Sequence, residues 1–334
     1  MKLDDMVVFE PFKPFMNQEP VVEDMVETKH ASVQKLVYPH STLLLKTYRE
    51  VEHGSDLYRL ERHPDILSRH EERMLKKLQD VNGDKGRIVP QLYAIMPSAP
   101  GIVMEYIDGK DDITLLEEGA GEDLVVRRLR EIRTFEDALQ QGMSGQGNAM
   151  SVKSRLYHDI TSLRKYVGST ATWKPNLSGV QWTYSFQHGD VRLQHHIEND
   201  ERSVWIDFEQ AGRYPVGYSF VTYTAANNAL SRLPYNTFDG ILRETLHNKK
   251  HERAGVYSLI APQELALCAS TLQYPAHIQQ TYLKGQTVES MVEERLGYAH
   301  DMLNRSLSDG QLTRYHRRFQ REMLKIVEEL RKNL

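Results

Sequence analysis

The segment of residues 186–209 constrains this chain more than any other. A short apolar run leads into a His-Gly-Asp turn that ends at Asp190, and a polar turn farther on precedes Ile-Asp-Phe-Glu, which carries Asp207. Two short runs around a polar turn predict a β-hairpin with an aspartate at each end. Phosphoryl transfer uses two such carboxylates, one for the proton of the attacking hydroxyl and one for the divalent ion. Turn aspartates without chemistry give the same short pattern, so the rest of the chain has to decide.

Composition places the chain among globular proteins and excludes several classes. Its 334 residues are 40% hydrophobic and 26% charged, with a net charge of −4, which gives no nucleic-acid signature. No apolar run approaches the roughly 18 residues that a membrane span needs, and the N-terminus has no signal-peptide pattern. The single cysteine, Cys268, lies in an apolar helical run and is expected in the core. Together these features predict a cytoplasmic protein, because a chain with one cysteine suits a reducing compartment.

Upstream of residues 186–209, the sequence predicts strands. Residues 32–38 and 42–49 are rich in β-branched and aromatic side chains and flank a Pro-containing turn, so they predict a hairpin. Lys46 lies at the end of the apolar part of its second strand. A further apolar run at residues 101–109 is broken by Asp-Gly and predicts another strand with a polar exit. By itself, a lysine at a strand end is most often a solvated charge.

A helix is predicted between these strands, over residues 63–78. Its apolar side chains recur at a spacing of three to four, which is typical of an amphipathic helix. The helix carries two adjacent acids, Glu71 and Glu72. Either one alone would be read as a surface glutamate, and Glu72 has Lys76 one turn away, a pair worth about 0.3–0.5 kcal/mol. Further helices are predicted at residues 124–139, 151–167, 218–232, 238–248, 260–273, 276–284, 287–306 and 309–332.

The order of these features resembles the aminoglycoside phosphotransferase and choline kinase families, which are relatives of the protein kinases. Those families carry His-Gly-Asp or His-Asn-Asp followed by Ile-Asp-Phe or Ile-Asp-Tyr, and a hinge strand like the Val-Met-Glu-Tyr-Ile of residues 103–107. The resemblance implies an α+β, two-lobed, protein-kinase-like fold. The small, β-rich N-lobe would span residues 1–107, and the large, mainly helical C-lobe would span residues 108–334.

The resemblance also implies a role for each candidate site residue. Asp190 would be catalytic and would orient or deprotonate the acceptor hydroxyl. Asp207 would hold Mg²⁺, with His195 assisting. Glu71, or Glu72 one residue on, would pair with the strand lysine, and the backbone of the hinge would recognise adenine. The residues implied for ATP binding are Lys46, Glu71, Glu105, Tyr106, Ile107 and Ser32.

The sequence departs from the family pattern in three places. The fifth position after Asp190 is His195, where the families keep an asparagine that helps to bind metal. Imidazole is a softer ligand than an amide oxygen and suits Mg²⁺ less well. Residues 28–32 contain no glycine where a glycine-rich loop is expected. Ser219 stands where the families often keep a buried aspartate.

Two functions follow from this pattern. The first is an ATP- and Mg²⁺-dependent phosphotransferase that transfers the γ-phosphate to a hydroxyl of a small molecule such as an aminoglycoside, an amino alcohol, a sugar or a nucleoside. The second, which the three departures favour, is a catalytically degenerate kinase-like protein that binds or regulates a partner. A kinase acting on polypeptides is disfavoured, because no Ala-Pro-Glu motif follows Asp-Phe-Glu. Neither a membrane nor a nucleic acid is an expected partner.

Overall fold

The chain, described here as a computed structural model, divides into two units. The first comprises Met1–Thr114 and Gln194–Ala211, and the second comprises Leu115–Leu193 and Gly212–Leu334. Residues 194–211 thus fold with the N-terminal segment. The division into lobes at residues 107 and 108 stays a prediction. The structure describes residues 6–27, 31–49, 63–80, 82–83, 86–97, 99–142, 152–169, 173–225, 231–247, 249–273, 287–310 and 312–333.

The first unit is built on a six-stranded antiparallel sheet in the order β1-β7-β8-β4-β3-β2. Helix α1 (Pro64–Leu78) is the helix of this unit that bears on the site. Strand β10 (Tyr184–Gln187) belongs to the second unit. The two strands that follow it in the sequence, β11 and β12, belong to the first unit. The strands are β1 (Val7–Val8), β2 (Val21–Glu27), β3 (Ala31–Tyr38), β4 (Ser41–Tyr48), β5 (Asn82–Gly83), β6 (Gly86–Arg87), β7 (Leu92–Met96), β8 (Gly101–Glu105), β9 (Lys110–Asp111), β11 (His196–Glu198) and β12 (Ser203–Trp205).

The predicted hairpin of the first unit is confirmed, whereas the seven-residue strand β2 was not predicted. β3 and β4 pair in register from Ala31 opposite Tyr48 to Tyr38 opposite Ser41, and their buried leucines Leu36 and Leu43 join the core of the sheet. The alternation of apolar and polar residues therefore identified these strands correctly. β2 was not predicted, because all seven of its residues are exposed and its acidic and apolar positions show no one-sided pattern.

A small sheet attaches residues 194–211 to the first unit. β11 pairs antiparallel with β12, which confirms the predicted hairpin, and β11 also pairs with β9 through Ile197 and Asp111. The fully buried His196 strengthens this sheet: Nδ1 lies 3.2 Å from Asp112 Oδ1 and Nε2 lies 2.6 Å from Ser203 Oγ. Two polar partners satisfy both ring nitrogens in the interior, where an unpaired nitrogen would be costly.

The second unit is mainly helical and also contains the antiparallel pair of β10 with β13 (Gly212–Pro215). A core cluster of this unit includes Cys268, which is buried as predicted. Among the described residues, no helix combines the length and the apolar content that crossing a bilayer requires. The helices after α1 are α2 (Asp112–Glu117), which begins in the first unit, α3 (Gly121–Gly142), α4 (Val152–Tyr166), α5 (Tyr218–Ala225), α6 (Tyr235–Thr245), α7 (Lys250–Gln273), α8 (Val288–Ser308) and α9 (Arg314–Asn333).

The predicted helices are present where the structure describes them, with one large change of a boundary. α7 begins at Lys250 rather than near residue 260 and continues through Pro262. Proline inside a helix normally ends or kinks it, but α7 accommodates Pro262 within its length. The helix predicted at residues 276–284 lies outside the described residues, as do most of the glycine-rich residues that follow α3.

Candidate nucleotide and metal site

A buried lysine surrounded by carboxylates forms the centre of the first unit. Lys46 Nζ, at the inner end of β4, lies 2.9 Å from Glu71 Oε2, 2.5 Å from Asp207 Oδ1 and 3.4 Å from Glu209 Oε2. Burial alone would lower the pKa of Lys46, but the charges of Asp207, Glu71 and Glu209 outweigh it, so the pKa lies well above its usual range. The ammonium group therefore stays charged and offers a fixed positive centre for phosphate oxygens.

Helix α1 aligns this lysine with the Asp-Phe-Glu segment through one carboxylate. Glu71 is 1% exposed, and its Oε2 accepts hydrogen bonds from Lys46 Nζ and from the Tyr48 hydroxyl. Its other oxygen, Oε1, accepts the backbone N–H of Phe208 at 3.1 Å. The sequence offered Glu71 and Glu72 for this position. The structure places Glu71 there, whereas Glu72 forms an i,i+4 pair with Lys76 at 2.6 Å.

The same helix also holds the far end of the segment. His70 Nε2 lies 2.6 Å from the carbonyl oxygen of Ala211, and burial lowers the pKa of His70. The intervening Phe208 is fully buried. Consecutive residues of α1 therefore fix both ends of the short 3-10 turn that follows Asp207, which is how an amphipathic helix positions a segment from a distant part of the sequence.

Asp207 adopts a backbone conformation that L-residues rarely take. Its φ of 67° and ψ of 64° lie in the left-handed region, and among the described residues it alone has a positive φ without being glycine. Aspartate tolerates this region better than most residues, although such conformations still cost free energy. The conformation is held by Lys46 on one carboxylate oxygen, and the other, Oδ2, lies 3.3 Å from His195 Nε2. Strain of this kind occurs often at functional sites.

The donor set around Asp207 fits a divalent cation. Carboxylate oxygens of Glu71, Asp207 and Glu209 lie within 4.8 Å of one another, and one ammonium group faces all three. Burial, together with the charge of Asp207, raises the pKa of Glu209 to about 7. A divalent ion would offset the excess negative charge, and carboxylate oxygens are the ligands that such ions prefer.

The predicted catalytic residue belongs to the second unit. Asp190 follows Gly189, whose φ of 83° requires glycine, and Asp190 is 7% exposed. Its Oδ1 accepts a hydrogen bond from Arg192 Nε at 2.7 Å. The preceding His188 is fully buried, and its ring centroid lies 6.2 Å from that of Phe135 on α3. The His-Gly-Asp segment is thus a tight turn supported from below by α3.

A polar network supports this turn at the place where the families keep an aspartate. The backbone N–H and hydroxyl of Ser219 both donate to Gln187 Oε1, at 3.0 and 2.9 Å. Gln187 Nε2 in turn donates to Pro215 O at 2.7 Å and to Ser185 Oγ at 2.9 Å. Gln187, which is fully buried, therefore links Ser219 of α5 to the end of β10. Nearby on α3, burial raises the pKa of Glu136 to about 7, although Ser219 and Arg133 lower it.

The remaining predicted nucleotide residues lie on the sheet of the first unit or directly after its strand β8. The backbone N–H of Glu105 donates to Gln91 O at 2.8 Å, so this N–H is already used within the unit. The Glu105 carboxylate is held by Arg202, whose nitrogens lie 2.5 and 3.2 Å from it. The backbone groups of Tyr106 and Ile107 remain as candidates for the adenine edge. Ser32 lies on β3, opposite Thr47 and Glu27.

Sequence reasoning missed several residues of these two networks. Glu209 was quoted only as part of a motif, yet it approaches Lys46. Its position directly after Asp207 and Phe208 was a signal that could have marked it. Tyr48, two residues after Lys46 on the same face of β4, could have been found from the alternation of the strand. Gln187 and Glu136 gave no signal, because only the folded structure brings them close to Ser219.

Three solved structures resemble the chain over most of its length. A choline/ethanolamine kinase family protein from Mesorhizobium loti shares 11% identity, with 93% of this chain and 95% of that chain covered and a TM-score of 0.54. The complex of gentamicin with APH(2")-IIa shares 11% identity over 87% of this chain and 96% of that chain, with a TM-score of 0.52. The streptomycin–ATP complex of APH(2")-IIa shares 11% identity over 86% and 99%, with a TM-score of 0.50.

These likenesses confirm the protein-kinase-like α+β fold and the resemblance to aminoglycoside phosphotransferases and choline kinases that the sequence indicated. No protein-family model matches the chain, and no curated protein sequence matches it. At this identity the structures share a fold, and a shared fold does not by itself establish an activity. The function has to be argued from the site residues.

Proposed function

We propose that this protein is a phosphotransferase that uses ATP and a divalent cation to phosphorylate a hydroxyl group of a small molecule. One observation carries the proposal: Lys46, Glu71 and Asp207, from three distant parts of the sequence, meet in one buried cluster with contacts of 2.9 and 2.5 Å. A structural protein gains little from such a cluster, because burying charges costs free energy even when they are paired. A phosphotransferase needs it for phosphate and metal.

In the proposed reaction, the acceptor oxygen attacks the γ-phosphorus while the bond to the β,γ-bridging oxygen breaks and ADP leaves. The hydroxyl proton passes to the carboxylate of Asp190. Lys46 binds phosphate oxygens and stabilises the charge that develops on them, and Glu71 holds the lysine in place. Asp207, with His195 or Glu209, would hold the divalent ion, which supplies charge neutralisation on the phosphates when it is bound. Tyr106 and Ile107 would present backbone groups to adenine.

The class of acceptor is proposed from the neighbours in structure. Their names include choline/ethanolamine kinase and complexes with gentamicin and streptomycin. These small molecules carry hydroxyl groups together with cationic nitrogen groups. The first acceptors to test here are therefore amino alcohols and aminoglycosides. Turnover on a polypeptide is not part of the proposal.

Binding comes first in the test of this function. Thermal unfolding of the full chain is measured with ATP and either Mg²⁺ or Mn²⁺, for the wild type and for Asp207→Asn. Nucleotide at about 100 times Kd adds about 2.7 kcal/mol of stability, and we expect this gain in the wild type and its loss in the variant. A wild type that shows no gain at millimolar nucleotide with either ion would refute the proposal.

Catalysis is tested by transfer of radiolabelled γ-phosphate to a panel of amino alcohols and aminoglycosides. We expect Asp190→Asn to lower turnover by about 10²–10⁴-fold, the usual contribution of a positioned base, while the stabilisation by nucleotide is retained. The matched control is Asp200→Asn, which changes an exposed aspartate and should leave turnover unchanged. Nucleotide binding without transfer to any member of the panel would favour the binding or regulatory function instead. Equal turnover of Asp190→Asn and the wild type would refute the role proposed for Asp190.

A further inference from the structure

His195 brings a nitrogen donor to the candidate metal site. It ends the short 3-10 helix Leu193–His195, and its carbonyl oxygen accepts the backbone N–H of Ile206 at 2.9 Å. The residue directly before Asp207 is thereby tied to His195. Of the two oxygens of Asp207, Oδ1 faces Lys46 Nζ at 2.5 Å and Oδ2 faces His195 Nε2 at 3.3 Å. The Asp207 carboxylate thus contacts the Lys46 ammonium group through one oxygen and the His195 imidazole through the other.

The distance of 3.3 Å between His195 Nε2 and Asp207 Oδ2 suits two ligands of one ion. It is longer than the roughly 2.7–3.2 Å of a usual N–H···O hydrogen bond. Two donors bound to a single first-row divalent ion, each at about 2.1 Å, lie about 3.0–3.5 Å apart. The side chains are 12% and 25% exposed, so an ion can reach them from solvent while most of each ligand stays fixed by the protein.

The charge around Asp207 favours a cation. Glu71 and Glu209 also approach Lys46, so a single ammonium group faces three carboxylates. The imidazole nitrogen of His195 is the donor that makes the site discriminate between cations. Mg²⁺ binds oxygen donors at near-ideal octahedral positions and dehydrates reluctantly, whereas imidazole suits first-row transition ions, whose affinity for mixed nitrogen and oxygen sites rises from Mn²⁺ towards Cu²⁺.

We propose that this site selects a first-row transition-metal divalent ion over Mg²⁺, with His195 Nε2 and Asp207 Oδ2 as protein ligands. The proposal rests on the proposed function in one respect, because the ion is taken to be the one that accompanies the nucleotide. The proposal also accounts for the departure from asparagine at position 195. In this view, histidine preserves metal binding and changes which metal is preferred.

The variant His195→Asn tests the proposal, since it replaces the ring nitrogen with an amide oxygen. Mn²⁺ is the probe. Its binding to the full chain with a non-hydrolysable ATP analogue is followed by the loss of the free-ion EPR signal, and Mg²⁺ is then titrated as a competitor. We expect the ratio of the Mg²⁺ Kd to the Mn²⁺ Kd to fall about tenfold or more in His195→Asn. His40→Asn, at an exposed turn, is the matched control and should leave the ratio unchanged.

Pulsed EPR of bound Mn²⁺ gives a second readout that needs neither activity nor a variant. Imidazole coordination produces modulation from ¹⁴N, which we expect in the wild type and in His40→Asn and which should be absent from His195→Asn. Bound Mn²⁺ without nitrogen modulation in the wild type, an unchanged Kd ratio in His195→Asn, or no Mn²⁺ binding would each overturn the proposal.

The two proposals fail in different ways. Phosphate transfer with Mg²⁺ and no nitrogen modulation would leave the proposed function in place and remove the metal preference. Mn²⁺ bound with nitrogen modulation to a protein that binds no nucleotide would support the metal preference and remove the proposed function. If His195→Asn does not fold, which urea unfolding would reveal, the nitrogen modulation of the wild-type protein decides on its own.

Discussion

Glu136 is expected to make the stability of the second unit depend on pH. Its carboxyl is 1% exposed on α3, with Arg133 Nη1 3.9 Å away. Burial raises its pKa from the ordinary value of 4.5 to about 7, although Ser219 and Arg133 act in the opposite direction. The folded chain therefore keeps a proton on this group over a pH range in which the unfolded chain has already lost it.

The sign and the size of this pH dependence follow from the linkage between proton binding and folding. Because the pKa is raised on folding, the stability that the protonated form contributes is fully present below pH 4.5 and is lost as the pH rises towards about 7. A tenfold difference in the acid dissociation constant between the folded and the unfolded chain corresponds to about 1.4 kcal/mol, so the total loss is on the order of 3 kcal/mol. Above about pH 7 both states are ionised, and the contribution becomes constant.

The assay is urea unfolding of the wild type and of Glu136→Gln at intervals from pH 4.5 to 8.5. Glutamine keeps the volume and cannot ionise. We expect the two proteins to be nearly equal at the acidic end and the variant to be more stable by about 3 kcal/mol above pH 7. The matched control is Glu122→Gln, at an exposed position on the same helix, for which we expect a small difference that does not vary with pH.

Two results would refute this reasoning. A difference between Glu136→Gln and the wild type that stays constant with pH would mean that the carboxyl has no raised pKa. A variant that becomes less stable than the wild type as the pH rises would mean that the ionised carboxylate is stabilised by Arg133 or Ser219 more than burial disfavours it. Taking the difference between the proteins removes the contributions of the other titrating groups, Glu209 among them.

Two further predictions concern buried polar partners. Lys46→Met should lower the free energy of unfolding by about 3–5 kcal/mol, because it leaves the Glu71 carboxylate buried without its cation. The double variant Lys46→Met/Glu71→Gln should recover much of that loss in a urea double-mutant cycle, and simple additivity of the two single changes would contradict the pairing. Gln187→Leu should cost about 2–5 kcal/mol, because it leaves the Ser219 N–H and the Pro215 carbonyl unsatisfied at nearly constant volume. The control Gln181→Leu alters an exposed side chain, and an equal loss in both variants would argue against the network.

The local part of the first unit could be predicted from the sequence. β3, β4 and α1 follow patterns of period two and of three to four, and those patterns depend only on which face of an element is buried. Lys46 and Glu71 could therefore be assigned to their elements directly from residue spacing. That they form an ion pair was implied by the resemblance, and in the structure Lys46 Nζ lies 2.9 Å from Glu71 Oε2.

Other features could not be predicted, for identifiable physical reasons. β2 is exposed on both faces at the edge of its sheet, so no side of it carried a hydrophobic signal. α7 begins at Lys250, before the predicted start at residue 260, and continues through Pro262, because tertiary packing can override a local preference. Ser219, at the position of the family aspartate, donates its backbone N–H and hydroxyl to Gln187 of β10, a contact between distant elements that residue spacing does not reveal.

The first unit is assembled from two separate stretches of the chain, and this has a consequence for biosynthesis. Lys46 and Glu71 leave the ribosome early, whereas Asp207 and Glu209 follow only after the whole of residues 115–193. At about 5–20 residues per second, that interval lasts several seconds. During it, the nascent chain holds a lysine and a glutamate whose remaining partners have not yet been made. A gene fragment that ends near residue 114 would encode the six-stranded sheet without Asp207 and Glu209, so the cluster around Lys46 cannot be transferred to another protein on a contiguous piece of sequence that leaves out residues 115–193.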